Sequence, residues 1–312
     1  MHSDEPQCSP CSPVDPESRD VSADRISGGP GGDFLGAEGG NDVIDGGAGG
    51  DLALHLSRFT MVNVDLTLGM AISTAGGVDE LEGIEHAIGS IHADRIRGDE
   101  HRNVLFGISF SGQDVVLGED GPDVLFASLA GDTLSGGNDE SPDRLQVALQ
   151  EPALVDLAVG MAASRETAHL HSPDTIIGFE EAVGTPYDDI LLGSEASNRL
   201  VGVFGHDEVS GRGGNDYLFG DYPGRQPLPF PGMAPGNDVL DGGAGGDHLN
   251  GGPLVDECVN GERLVDCEQT DGPSAKPVYG KSANGFPWWW ARYDVDYLHE
   301  TPAIGELLAL LR

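Results

Sequence analysis

The chain has 312 residues and a mass of 32.5 kDa, enough for one large domain or two ordinary ones; 48 residues are glycine, about 15 percent against a usual share of about 7 percent. Sixteen Lys and Arg stand against 53 Asp and Glu, a formal charge of −37, and Lys276 and Lys281 are the only lysines, so nucleic acid and anionic membranes are poor partners. With 38% apolar and 6% aromatic residues and no run of 18 apolar residues, the sequence offers neither a membrane-spanning helix nor a thick aromatic core.

Residues 1–18 are rich in Pro and Ser, show no strand or helix pattern, and are expected to be disordered. Cys8 and Cys11 form CSPC there. A thioredoxin-like redox site needs a βαβ context that is missing, which leaves a small disulfide or free thiols. Residues 1–20 contain no apolar run of seven, so no secretory leader is read from them.

A nine-residue period then begins. Asp24, Asp33, Asp42 and Asp51 stand nine apart, with Ile26, Leu35 and Ile44 two places after the first three. The register recurs as Asp94 and Asn103, as Asp114, Asp123 and Asp132, as Asp189, Asn198, Asp207 and Asp216, and as Asp238, Asp247 and Asp256, again with apolar residues two places on. Three units are complete: GGPGGDFLG at 28–36, GGAGGDLAL at 46–54 and GGAGGDHLN at 242–250. They fit G-G-x-G-x-D-x-U-x, where U is apolar. Glycines at the first, second and fourth positions (Gly28, Gly29, Gly31; Gly46, Gly47, Gly49; Gly242, Gly243, Gly245) permit positive φ and turn carbonyl oxygens toward the corner, where the Asp adds a carboxylate. Calcium, a hard cation, takes about six to eight oxygens at about 2.3–2.6 Å, which such corners supply only when stacked. The residues after each Asp form a short strand whose alternation buries U.

The pattern resembles the RTX family, the hemolysin-type calcium-binding repeat proteins, over roughly residues 19–268. The resemblance implies an all-β fold: a right-handed parallel β-roll or β-helix solenoid with calcium-binding turns, in which two nonapeptides make one coil and corners 18 residues apart share an ion. The pairs at that spacing are Asp24/Asp42, Asp33/Asp51, Asp114/Asp132, Asp189/Asp207, Asn198/Asp216 and Asp238/Asp256, which imply about six calcium ions and folding coupled to metal binding. The expected metal-ligating carboxylates are those of Asp24, Asp33, Asp42, Asp51, Asp114, Asp123, Asp132, Asp189, Asp207, Asp216, Asp238, Asp247 and Asp256. Asn103 and Asn198 offer a neutral oxygen or are simply polar turn residues. The corners before Asp24 (RDVSA) and Asp132 (ASLAG) lack the glycines and are expected to keep the strand and lose or weaken the ion.

Two spacers between repeat blocks match each other at an offset near 95: VNVDLTLGMA at 62–71 with DELEGIEHAIGS at 79–90, and ALVDLAVGMA at 153–162 with DTIIGFEEAVGT at 174–185. The duplication divides the solenoid into blocks 19–140 and 141–268. Val62, Val64, Leu66 and Leu68 alternate as in a half-buried strand, and the spacers are expected to form wider, calcium-free coils; at about 40 residues each they are too short for a catalytic domain. PGRQPLPFPGMAPG at 223–236 breaks the register between Asp216 and Asp238 and is expected to loop out.

Cys258 and Cys267 follow the last repeat and resemble the Cys pair that ends many exported calcium-repeat proteins, which implies a disulfide closing the solenoid and an oxidising compartment. The tail 269–312 carries Trp288 to Trp290 and a short amphipathic end with Thr301 as N-cap and Pro302 at the first helical position. It is an end cap, an export signal, a partner-binding segment or a translation artefact.

Catalytic signatures are missing. There is no H-E-x-x-H helix and no G-x-S-x-G elbow, GISFSG at 107–112 having the wrong spacing, and His169 with His171 is read as solvated surface rather than a zinc pair. No catalytic residue is assigned. The expected function is a secreted, extracellular bacterial calcium-binding solenoid that acts as a structural or surface-interaction module, with extracellular glycans or proteins as partners. Alternatives are an enzyme acting on polysaccharide from a solenoid face and a detached repeat fragment of a toxin or exoenzyme. Export is either by a type I route with a C-terminal signal or by a Sec or Tat leader not present here.

Overall fold

A computed structural model describes residues 22–271 except residues 38, 55–59, 74–76, 109–111, 129, 149–150, 168–171 and 222–233, with 270 and 271 described by backbone alone. Cys8, Cys11, His169, His171, most of the Pro-rich stretch and the tail with its tryptophans lie outside the described residues. Among the described residues there is no helix, and 27 strands form two sheets, one of 16 strands and one of 11.

Each strand is short because the repeat leaves little chain for it. Most span three residues, such as Arg95–Arg97 or Val104–Phe106, before the next glycine-rich corner begins. Three residues give one inward side chain per strand, the U residue two places after the corner acid. Consecutive coils pair in parallel with the U residues in register: Val116 opposite Ile96 and Leu134 in the larger sheet, Leu105 opposite Ala87 and Leu125 in the smaller. The two columns of U side chains meet between the sheets and form a continuous core that runs from Leu35 to Cys267. This is a parallel β-roll, one apolar residue thick per layer. Strands pair across residue 140 without a break, Thr133 with Thr175 in the larger sheet and Val124 with Arg144 in the smaller, so both blocks share one pair of sheets.

The spacers differ from the wide coils expected from their length. Val62–Asp65 and Met70–Ser73 form an antiparallel hairpin, and Met70–Ser73 pairs antiparallel again with Gly77–Glu82; Ala153–Asp156, Met161–Ser164 and Asp174–Ile177 repeat the arrangement. The strand stops at Asp65 because that side chain accepts the Leu68 N–H (2.9 Å) and Gly69 closes the loop at φ +61°. Leu68 therefore points into solvent, 66% exposed, while Val62, Val64 and Leu66 are buried. In the second copy Asp156 accepts Ala158 and Val159 N–H, and Gly160 stands at φ +76°.

The hairpins enlarge the larger sheet only. In the smaller sheet His86–Ile88 pairs directly with Val104–Phe106, whereas two extra strands separate the corresponding coils of the larger sheet. At about 4.8 Å per strand this adds about 10 Å to one side of the roll at each spacer. Ile84 and Phe179, both buried in the common core, occupy the short corners beside these hairpins. Ion pairs fasten the hairpins to the repeats: Arg212 grips Asp156 through two contacts of 2.7 Å, and Arg97 lies between Asp65 (3.5 Å) and Glu119 (2.7 Å).

At the C-terminal end Cys258 takes the U position after Asp256 and is joined to Cys267 by a disulfide, with the Cα atoms 5.8 Å apart. The bridge closes the core column with sulfur where inner coils have Leu. Because each layer holds one U side chain per sheet, truncating one removes a layer's packing. Leu134→Ala and Leu200→Ala should each lose about 2–5 kcal/mol in urea unfolding with calcium present, whereas Thr133→Ala on the outer face should stay below about 1 kcal/mol.

Candidate metal centres

Each corner begins with an acid whose side chain reaches the preceding coil. One of its oxygens accepts the backbone N–H of the residue at the same corner position one coil earlier. Along one edge, Asp24 N–H donates to Asp42 (2.8 Å), Asp42 to Asp79 (3.0 Å), Asp94 to Asp114 (2.8 Å), Asp114 to Asp132 (2.8 Å) and Asp132 to Asp174 (2.9 Å); Asp189 to Asp207, Asp207 to Asp238 and Asp238 to Asp256 continue it at 2.8–2.9 Å. On the other edge Asp33 donates to Asp51, Asn103 to Asp123, Asp123 to Asp143, Asn198 to Asp216 and Asp216 to Asp247, at 2.7–2.9 Å. All six pairs picked out at a spacing of 18 are stacked in this way. Charge-assisted bonds of this length fix the register of one coil on the next.

Sequence reasoning missed the ladder members that stand off the nine-residue register: Asp79, Asp143 and Asp174 above, and four glutamates. Glu85, Glu180, Glu262 and Glu268 accept the N–H of Asp51, Asp143, Asp247 and Asp256 respectively, at 2.5–3.0 Å. They end corners of six residues rather than nine, DELEGIE, DTIIGFE, DECVNGE and ERLVDCE, where the longer glutamate side chain replaces aspartate. The legible signal was an acid two places before a buried apolar residue: Ala87, Ala182 and Leu264 follow the first three of these glutamates.

The second carboxylate oxygen separates two kinds of corner. In Asp33, Asp51, Asp123, Asp207, Asp216, Asp238, Asp247 and Asp256 the Oδ2 atom is buried with no hydrogen-bond partner. Beside it lies the first glycine of its unit. A methyl group on Gly28 would fall 2.6 Å from Asp33 Oδ2 and 2.7 Å from the carbonyl oxygen of Gly46 on the next coil. The first glycine is thus required for close approach and not for positive φ as expected; that freedom is used at the second and fourth positions, Gly29 at +107° and Gly31 at +118°. An unsatisfied carboxylate oxygen next to a main-chain carbonyl is a donor set suited to a hard cation and to nothing apolar. Among the described residues no three His, Cys, Asp or Glu side chains converge on one point, so such a cation takes most of its oxygens from the main chain.

Other corners are closed from within the chain. Ser90 and Thr185 hydroxyls donate to Asp94 and Asp189 Oδ1 (2.8 Å each), their backbone N–H groups donate to Oδ2 of the same acids, and the Ser128 hydroxyl donates to Asp132 Oδ2 (2.6 Å). Asn198 is held similarly by Ser194. Asp132 and Asp189, both expected as ligands, therefore already have partners for both oxygens. The sequence signal was present as Gly-Ser and Gly-Thr four residues before the acid, where a complete unit has Gly-Gly. At the N-terminal end, Asp24 is exposed.

A family model described as the RTX calcium-binding nonapeptide repeat matches the chain in four copies, over residues 21–53, 108–140, 192–221 and 235–253. No curated protein matches the chain. Seven of these eight corner acids fall within the matched segments, and Asp94 and Asp189 fall outside them. The chain thus carries RTX calcium-binding nonapeptide repeats in four copies, in keeping with its β-roll and glycine-aspartate corners.

Burial without a counter-charge shows in the protonation of these acids. Desolvation, followed by the charges of neighbouring corner acids, pushes Asp207 up to about 9, Asp123 to about 8, Asp238 to about 7, and Asp216 and Asp256 to about 6. In the unfolded chain they ionise near 3.8. A folded value above the unfolded one stabilises the metal-free fold fully below about pH 3.8 and loses that contribution as pH rises through about 6 to about 9. Thermal melts in chelator should accordingly show the metal-free chain losing stability from about pH 4 to about pH 9, and calcium affinity should rise over the same interval because binding displaces protons.

Proposed function

We propose that this chain is a secreted, non-catalytic calcium-binding β-roll that folds on calcium binding and serves as a structural or surface-interaction module outside the cell, with glycans or proteins of the cell surface or matrix as partners. The observation that supports it is the set of eight buried Oδ2 atoms facing main-chain carbonyls of the adjoining coil, in repeats whose class binds calcium. Asp33, Asp51, Asp123, Asp207, Asp216, Asp238, Asp247 and Asp256 supply the carboxylates, and the first glycines of their units and of the next coil admit the ion. Calcium, when bound, supplies the positive charge that the corners lack.

Six to eight ions follow from the six pairs 18 residues apart and the eight orphaned oxygens. They would bring about +12 to +16 against a formal −37. Extracellular calcium is abundant enough to fill weak corners, which supports an extracellular site of action. The same corners give the chain's residues one task each: the acid sets the register through one oxygen and binds through the other, the glycine makes room, and U packs the layer.

Counting ions by native mass spectrometry in a calcium titration tests the assignment of corners. Asp216→Asn should remove about one ion per chain, and Asp189→Asn, whose oxygens Thr185 already satisfies, should remove none. Equal loss in both variants, or loss in neither, contradicts the assignment. Incubation with neutral and acidic polysaccharides should yield no cleavage products; turnover that falls in any corner Asp→Asn variant would favour an enzyme instead.

A further inference from the structure

One buried acid stands outside the repeat pattern. Asp221 ends the strand Tyr217–Asp221, directly before the register is broken by the Pro-rich stretch, and chain description resumes at Ala234 on the way to Asp238. It occupies the second position of its corner, where complete units have glycine, after Gly220 in the first. Its backbone is not in the positive-φ region used by Gly29 or Gly47, so nothing about the local turn calls for glycine there. Nor does the turn call for a charge.

The carboxylate is nevertheless 94% buried, since only 6% of the residue is exposed, and neither oxygen has a hydrogen-bond partner. In seven of the eight corner acids, all but Asp33, one oxygen is held by the neighbouring coil; at Asp221 both are orphaned. The side chain lies over the next coil, where a methyl group on Gly252 would fall 2.6 Å from Asp221 Oδ2. The carbonyl oxygen of Gly251 on that coil and Oδ2 of Asp238, the acid of the corner that Gly220 opens, both crowd Gly220, the residue before Asp221. The charged groups that act on Asp221 are Asp238 and Asp256, both anionic, with only a minor opposing pull from the Gly236 amide. A buried carboxylate surrounded by acids either keeps its proton or takes a cation beside it, and two orphaned oxygens facing a neighbouring carboxylate and carbonyl offer the second course a donor set.

We propose that Asp221 is a calcium ligand outside the nonapeptide pattern, its carboxylate joining Asp238 and the Gly251 carbonyl to hold one ion at the base of the Pro-rich stretch. The proposal rests on the reading that glycine-aspartate corners hold calcium, and adds a ligand that the repeat pattern does not supply. A second carboxylate raises the charge of the site, and ligand charge count is a principal control of calcium affinity. This corner therefore fills at lower free calcium than corners with one carboxylate, and it orders the C-terminal coils first as calcium rises.

Calcium titrations of the full chain by calorimetry, with a competing chelator to reach tight sites, test this. Wild type should show a tight step of about one ion ahead of the weaker ones. In Asp221→Asn the affinity of that step should fall by about tenfold or more with later steps unchanged, and Asp221→Gly should behave alike although it restores the pattern residue. Asp33→Asn, at a remote corner, should lose a weaker step and leave the tight step intact. If wild type and both Asp221 variants give superimposable titrations, Asp221 is not a ligand and the corner reading stands. If wild type takes up no calcium, both readings fall.

Discussion

A buried carboxylate that faces the next coil is the element on which this structure depends. One oxygen of each corner acid takes a backbone N–H from the coil before it, which sets the register to a single residue and aligns the U side chains into a column. The other oxygen carries the remaining charge into a space bounded by main-chain carbonyls. Repeating this at corner after corner would accumulate charge that a core only one apolar residue thick cannot offset. Cations at the corners turn the same geometry from a liability into the glue between coils.

Corners are not uniform, and their distribution shapes the molecule. Cation-dependent corners cluster in the segments around Asp33 and Asp51, around Asp123, and from Asp207 to Asp256. Between them, hydroxyl-closed corners at Asp94, Asp132 and Asp189 and the six-residue corners ending in Glu85 and Glu180 adjoin the two hairpins. The hairpins add antiparallel pairing and ion pairs such as Asp156 with Arg212 that need no metal. The chain's own bonds are thus unevenly spread: coils beside the hairpins have their corner acids satisfied from within, while the glycine-rich coils carry the buried carboxylate oxygens that lack a partner. The final two corners, of six residues each, are tied by Cys258 and Cys267, so the open C-terminal end has a covalent closure in place of a metal.

Much of this was legible in the sequence because the repeat writes its geometry into residue types. The nine-residue spacing of Asp24 to Asp51 and the apolar residue two places on marked the strands and their inward side chains, and the resemblance to RTX repeats supplied the parallel stacking. What spacing alone obscured was any corner of another length: Glu85, Glu180, Glu262 and Glu268 perform the same bond from hexapeptide units, and a search anchored on nine passes over them. The hairpins were misjudged because V-x-V-D-L-x-x-G reads as continuous alternation, although the side chain of Asp65 and the positive φ of Gly69 turn the chain after four residues. The missing glycines already marked the corner of Asp132 as weak, and the Ser128 hydroxyl accounts for it; Asp189 passed for a metal-binding acid because the meaning of Thr185 shows only in its bond to the carboxylate. Asp221 was invisible, since its meaning lies in burial and in what fails to surround it.

The central claim is that the parallel β-roll is assembled by calcium at its corners, and far-UV circular dichroism of the purified chain, recorded in chelator and again through a calcium titration at neutral pH, tests it most directly. The account predicts a largely unfolded spectrum in chelator and a cooperative gain of β signal as calcium is added, reversed by chelator. A β spectrum that is the same with and without the ion would contradict it.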